Sequence, residues 1–157
     1  MSISELTSSH KRWMQRALRE AERALDIGEV PVGAVVVMGD TIVGRGHNQV
    51  ERLGDPTAHA EMIAITAACE TVGQKYLDKC TLYVTLEPCP MCAGAMVLSK
   101  LGKLVFGALD EKAGSASSLY NITDDKRLNH RVEVISGVDA DKAAEMLQSF
   151  FASKRAK

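Results

Sequence analysis

Between Ser9 and Ile27 the apolar positions Trp13, Met14, Ala17, Leu18, Ala21 and Leu25 recur three and four residues apart. That period predicts an amphipathic helix over 9–27, with Gly28 as its stop. The pattern then shifts to continuous apolar runs. VGAVVVM, 32–38, reads as a buried strand and TIVGRG, 41–46, as its return. Gly39 and Asp40 between them suit a two-residue hairpin turn of type II′. DPTAHAEMIAITAAC, 55–69, predicts a second helix with Asp55 as N-cap and Pro56 in its first position. CTLYVTL, 80–86, reads as a third strand. A third helix starts at Cys89 or Pro90 and runs to about Lys100, and KLVFGA, 103–108, is a fourth strand. The stretch from Leu109 to His130 is long for a connection, which points to a functional loop. RVEVIS, 131–136, is a fifth strand, and a last helix over 139–155 takes Asp139 as its cap. The order α-β-β-α-β-α-β-β-α predicts a single domain over 1–157. Its fold class is a three-layer α/β/α sandwich around a mixed five-stranded sheet.

Composition narrows the class without naming a chemistry. The 157 residues are 46% hydrophobic and 25% charged, with a net charge of −1, so neither an acidic nor a basic partner is implied. No run of about 18 apolar residues exists and the N-terminus lacks an apolar signal core, so the expectation is a cytoplasmic protein without a membrane segment. Lys154, Arg155 and Lys157 in the tail read as a solvated helix end or as a phosphate-contacting patch. In that compartment four cysteines do not imply disulfides. Cys69 and Cys80, in apolar surroundings, read as small hydrophobes.

The chemistry lies in two short stretches, AHAEM at 58–62 and EPCPMC at 87–92. Cys89 and Cys92 are i and i+3 at a helix start and share a face. By itself a CxxC can be half of a structural zinc site, a redox pair or part of a catalytic metal centre. His59 and Glu61 are i and i+2 and do not share a face, so they act together only at a helix end. Two helix starts would then point at one place, and their positive ends favour thiolates and anionic oxygen. The donors count to three: His59, Cys89 and Cys92. A closed structural zinc site takes four protein ligands, whereas a catalytic one leaves a position for water. Glu61 is then the base beside that water. H-x-E with P-C-x-x-C is the pattern of zinc nucleobase deaminases.

The segments EVPVGAVVV, GHN, DPTAHAEM, TLYVTLEPCPMCAGAM, VFGALD, NHRVEV and SFF, spread from Glu29 to Phe151, resemble the bacterial tRNA-specific adenosine deaminase family, of the cytidine deaminase-like superfamily. The resemblance implies one Zn2+ per chain on His59, Cys89 and Cys92, and attack of an activated water on C6 of adenine with Glu61 as proton shuttle. The substrate it implies is the wobble adenosine of a tRNA anticodon stem-loop, tRNA-Arg above all. Asn48, Ala58 (through its backbone N–H), Val30, Glu29 and Asp110 match substrate-binding positions. Lys112, Asn129, His130, Arg131 and Phe151 match RNA contacts less closely. A homodimer is implied as well. The rival within the same chemistry is a deaminase of a free base or nucleotide: guanine, cytosine or deoxycytidylate. The rivals outside it are a non-catalytic zinc-stabilised RNA-binding module and a thiol redox protein.

Overall fold

A computed structural model describes residues 2–156. Among these, five strands form one sheet in the order β2-β1-β3-β4-β5. Helix α1, Ile3–Asp26, starts six residues before the predicted helix. Ser2 accepts from the Glu5 N–H while Glu5 reaches back to the Ser2 N–H, a capping box outside the apolar stripe from which the helix was read. β1, Gly33–Met38, and β2, Thr41–His47, form the hairpin. Gly39 has φ +64° and Asp40 has no positive φ, as a II′ turn requires and a I′ turn does not.

A four-residue helix, α2, Val50–Leu53, then intervenes. It is too short to leave a period in the sequence and has no side-chain cap. The next helix, α3, Ala60–Val72, begins four residues later than expected, with His59 as N-cap. Asp55 does not cap it; its carboxylate accepts from Thr57 N–H and hydroxyl at 2.8 and 2.7 Å in a turn of its own. β3, Cys80–Leu86, leads to α4, Pro90–Leu98, whose N-cap is Cys89. β4, Lys103–Ala108, and β5, Glu133–Ile135, complete the sheet, and α5, Ala140–Arg155, closes the chain. Asp139 takes the N-cap position of α5 at φ +53° but makes no side-chain cap bond.

β1 runs antiparallel to β2 and β3, while β3, β4 and β5 are parallel. One face of the sheet packs Val35, Val37, Tyr83 and Val105 on Trp13, Met14, Ala17 and Leu18 of α1 and Ala143 of α5. The other packs Ala34, Val36, Leu82, Val84 and Phe106 on Ala60, Ala64, Ile65 and Ala68 of α3 and Met96 of α4. This is the expected three-layer α/β/α architecture. Burial on both faces explains why the central strands are unbroken apolar runs without alternation. Cys80 is buried in the second core and Cys69 is half-buried beside it.

Two features bring the site together. Gly44 and Gly46 of β2 lie directly under α3; a Cβ at either would collide with a helix carbonyl, of Ala64 or Ala60 respectively. The start of α3 therefore sits close on the sheet. The segment 109–132 is also the crossover that the parallel β4–β5 pair demands. It passes over the ends of β3 and β4 on its way.

Candidate active site

β3 ends at Leu86 and the chain turns through Glu87 and Pro88 into α4. Pro90 in the first turn presets φ, and Cys89 and Cys92 come to one side of that helix start. α3 starts at the same edge. His59 Nδ1 lies 3.5 Å from Cys89 Sγ and 3.6 Å from Cys92 Sγ, and the three donor atoms are within 4.8 Å of one another. A tetrahedral zinc ion at ~2.3 Å from sulfur and ~2.0 Å from nitrogen sets its donors about 3.6 Å apart, so this trio fits one.

The protonation pattern is that of one thiolate shared by two sulfurs beside a histidine. A hydrogen bond from Cys92, and then one from His59, bring the Cys89 thiol down to about 4. Cys92 is pushed up, by that same bond and by burial, so the pair shares one negative charge. His59 is raised, mainly through its bond to Cys89. Glu61 is 4% exposed, and burial pushes its carboxyl up to about 7.

These groups lie at a cavity of about 290 Å³ whose wall includes His59, Glu61, Cys89, Asn48, Val30, Glu29 and Asp110. The buried Asn48 donates from Nδ2 to the Val30 carbonyl at 3.4 Å, and its Oδ1 has no partner. The Glu29 carboxylate is already committed: Oε1 and Oε2 accept from the N–H groups of Glu51 and Arg52 at 3.0 and 2.7 Å, which fixes α2 against the cavity.

Ala58 departs from expectation. Its N–H donates to the Asp55 carbonyl at 3.1 Å, and its side chain faces a groove on the outer side of α3. The residue after His59 is the one at the cavity: Ala60 lines it and opens the turn whose N–H groups have no partner within the helix. A helix start placed at Asp55 hid this. Asn129, His130 and Arg131 also lie elsewhere. His130 Nε2 bonds the Leu101 carbonyl at 2.6 Å, before the start of β4, and Arg131 pairs with Asp124 at 2.7 Å. Six strand residues, roughly 20 Å, separate that end of β4 from the cavity end.

Lys112 and Phe151 line an adjoining groove with Leu109, Leu147 and Arg155, and it shares Val30, Leu86 and Asp110 with the cavity. Lys154 instead turns onto the Phe150 ring at 5.4 Å, and Lys157 lies outside the described residues. Sequence reading missed Glu87, Val50, Glu51 and Ala113 in the wall. For Glu87 a signal exists, a carboxylate directly after an apolar strand end.

Residues 8–155 match the model of the MafB19-like deaminase family. A tRNA-specific adenosine deaminase of Aquifex aeolicus is 51% identical over 143 residues, 91% of this chain and 94% of that protein. Among solved structures, one from a study of A-to-I editing by tRNA:A34 deaminases superposes with TM-score 0.83 at 40% identity, covering 87% of this chain and 99% of that one. A guanine deaminase of Bacillus subtilis superposes with TM-score 0.61 at 39% identity, covering 64% of each chain.

Proposed function

The chain belongs to the family of tRNA-specific adenosine deaminases, and from that premise we propose a zinc-dependent conversion of adenosine to inosine at the wobble position of a tRNA anticodon, in the cytoplasm, with tRNA-Arg as a substrate. The observation that supports the zinc-dependent reading best is the trio His59, Cys89 and Cys92 beside the buried carboxyl of Glu61, in a cavity lined by Asn48. Zinc held by His59, Cys89 and Cys92 would supply an activated water and a positive charge at the point of attack. Glu61 accepts one proton of that water and delivers it to N1 of the adenine; it then takes the second from the hydroxyl now on C6 and passes it to the amino group, which leaves as ammonia. C6 thereby exchanges its amino group for oxygen. Asn48 bonds the nucleoside through its unpartnered Oδ1, and Val30, Ala60 and Asp110 seat the base. A cavity of about 290 Å³ suits one extruded base rather than a stacked strand, and an unpaired anticodon loop gives up its base cheaply.

A homodimer is part of this reading. α3 also has an apolar groove on its outer side, lined by Leu53, Met62, Ile63 and Ala67, and Leu53 is 57% exposed. A helix apolar on both sides asks for a second cover.

The test is product detection. Transcribed tRNA-Arg with an ACG anticodon should acquire inosine at its first anticodon position. Glu61→Ala should lower that rate by at least ~100-fold while about one zinc per chain remains. Turnover of free guanine without inosine in the tRNA would assign a free-base deaminase, the reading to which the guanine deaminase likeness gives weight. Unchanged activity in Glu61→Ala would remove the proposed chemistry.

A further inference from the structure

Glu87 is 2% exposed, and no cation among the described residues forms an ion pair with it. A buried carboxylate without a countercharge must be satisfied by hydrogen bonds. Here one segment of the crossover supplies all of them. Oε1 accepts from the Asp110 N–H at 3.0 Å and from the Ser118 hydroxyl. Oε2 accepts from the N–H groups of Ala116, Ser117 and Ser118 at 3.1, 2.8 and 2.9 Å.

The fit is close from the loop side too. At Gly114 any Cβ would collide with the Glu87 carboxyl group and the Asp110 carbonyl. Ser115 N–H donates to the Pro88 carbonyl at 2.9 Å, one residue before Cys89. The Asp110 side chain then accepts from Lys112 and Ala113 N–H at 3.0 and 3.2 Å. Residues 110–118 are thus wound around a single carboxylate fixed at the β3–α4 junction, and two of them, Asp110 and Ala113, are cavity wall.

We propose that Glu87 is a positioning residue for substrate: its carboxylate holds 110–118 as a preformed wall, in register with the junction that carries Cys89 and Cys92. The inference rests on reading the cavity as a nucleoside site. Preformed walls lower the ordering cost of binding, so the effect falls on KM rather than on the chemical step.

Glu87→Gln makes the test selective. An amide has one acceptor oxygen, which best serves the three N–H groups at the Oε2 position. Its NH2 then faces the Asp110 N–H, donor against donor, while the Ser118 hydroxyl turns to accept. Asp110 is released and the rest stays. Gly114→Ala disturbs the same packing from the loop. Both variants should raise KM for an anticodon stem-loop by about fivefold or more, with kcat within about twofold and zinc content unchanged. An unchanged KM, or a fall in kcat that follows loss of zinc, overturns the proposal.

Amide exchange in the wild-type protein tests it even if neither variant folds. Asp110, Ala116, Ser117 and Ser118 should exchange far more slowly than Lys126 and Asn129 of the same crossover; equal rates overturn it. If the wild type makes no inosine, the substrate reading fails, and the exchange pattern alone then decides whether Glu87 holds the wall.

Discussion

His10 shows how a single residue outside the site is set by its surroundings. Its Nδ1 lies 2.8 Å from the hydroxyl of Tyr83, a buried phenol that burial pushes up to about 12, against a small opposing pull from Arg12. The ring itself is held below its ordinary 6.5 by burial first and by Lys103 next, while Glu133 opposes them. The folded state therefore prefers neutral His10, and the unfolded chain takes up the proton first as pH falls. Stability carried by this group is intact above about 6.5 and is lost as pH drops toward the lower folded value. The thermal midpoint of His10→Gln should thus fall less steeply between pH 7 and pH 5 than that of the wild type. Equal slopes would show that His10 is not a source of the acid sensitivity. Nothing in SSHKRWM announces this, because Tyr83 is 73 positions away. The donor trio and Glu61 are different. Their residue types are rare together, and their short spacings, HAE and CPMC, leave only one long-range distance for the fold to set.

At the scale of elements, helix and strand types follow from the period of apolar positions, but ends follow from local bonds. α1 reaches back to Ile3 because Ser2 and Glu5 cap one another; α3 waits until Ala60 because Asp55 and Thr57 make their own turn. The contact of α3 with β2 is the element-scale feature that matters for the site, since it sets the position of His59 and Glu61. Gly46→Ala would drive a methyl into the Ala60 carbonyl. Such overpacking costs about 1–3 kcal/mol, and the backbone here cannot yield as a side chain can, so the upper end applies. For a chain of this size that is a drop in Tm of roughly 6–12 °C. Zinc content should fall with it, because the helix start is displaced with its cap residue. A variant with wild-type Tm and full zinc would show that the approach is not tight.

At the scale of the molecule, the proposed dimer is open to direct measurement. Light scattering should give twice the 17.0 kDa chain mass. Thr66→Arg, at an exposed position of the outer α3 groove, should give the single-chain mass without unfolding the protein. A wild-type monomer would remove the dimer from the reading, and a dimeric Thr66→Arg would move its interface elsewhere. The long segment 109–132 also makes sense only at this scale. Its length reads as a functional loop in the sequence. It is at once the crossover between two parallel strands and the material wound around Glu87.

By itself the sequence determined the layer architecture, the trio of His59, Cys89 and Cys92, and the carboxyl of Glu61 beside it. Apolar period and residue chemistry are local properties that a short window displays. Only the tertiary structure decided that Ala60 rather than Ala58 opens the helix at the cavity, and that Glu29 and Glu87 are committed to holding α2 and the crossover. It also decided that Asn129, His130 and Arg131 sit at the far end of β4. The roles of Glu29, Glu87 and His130 depend on which backbone N–H or carbonyl comes within hydrogen-bond reach across 20 or more residues, and no window of sequence carries that distance; the start of α3 depends on a local turn at Asp55–Thr57 that wins over a cap.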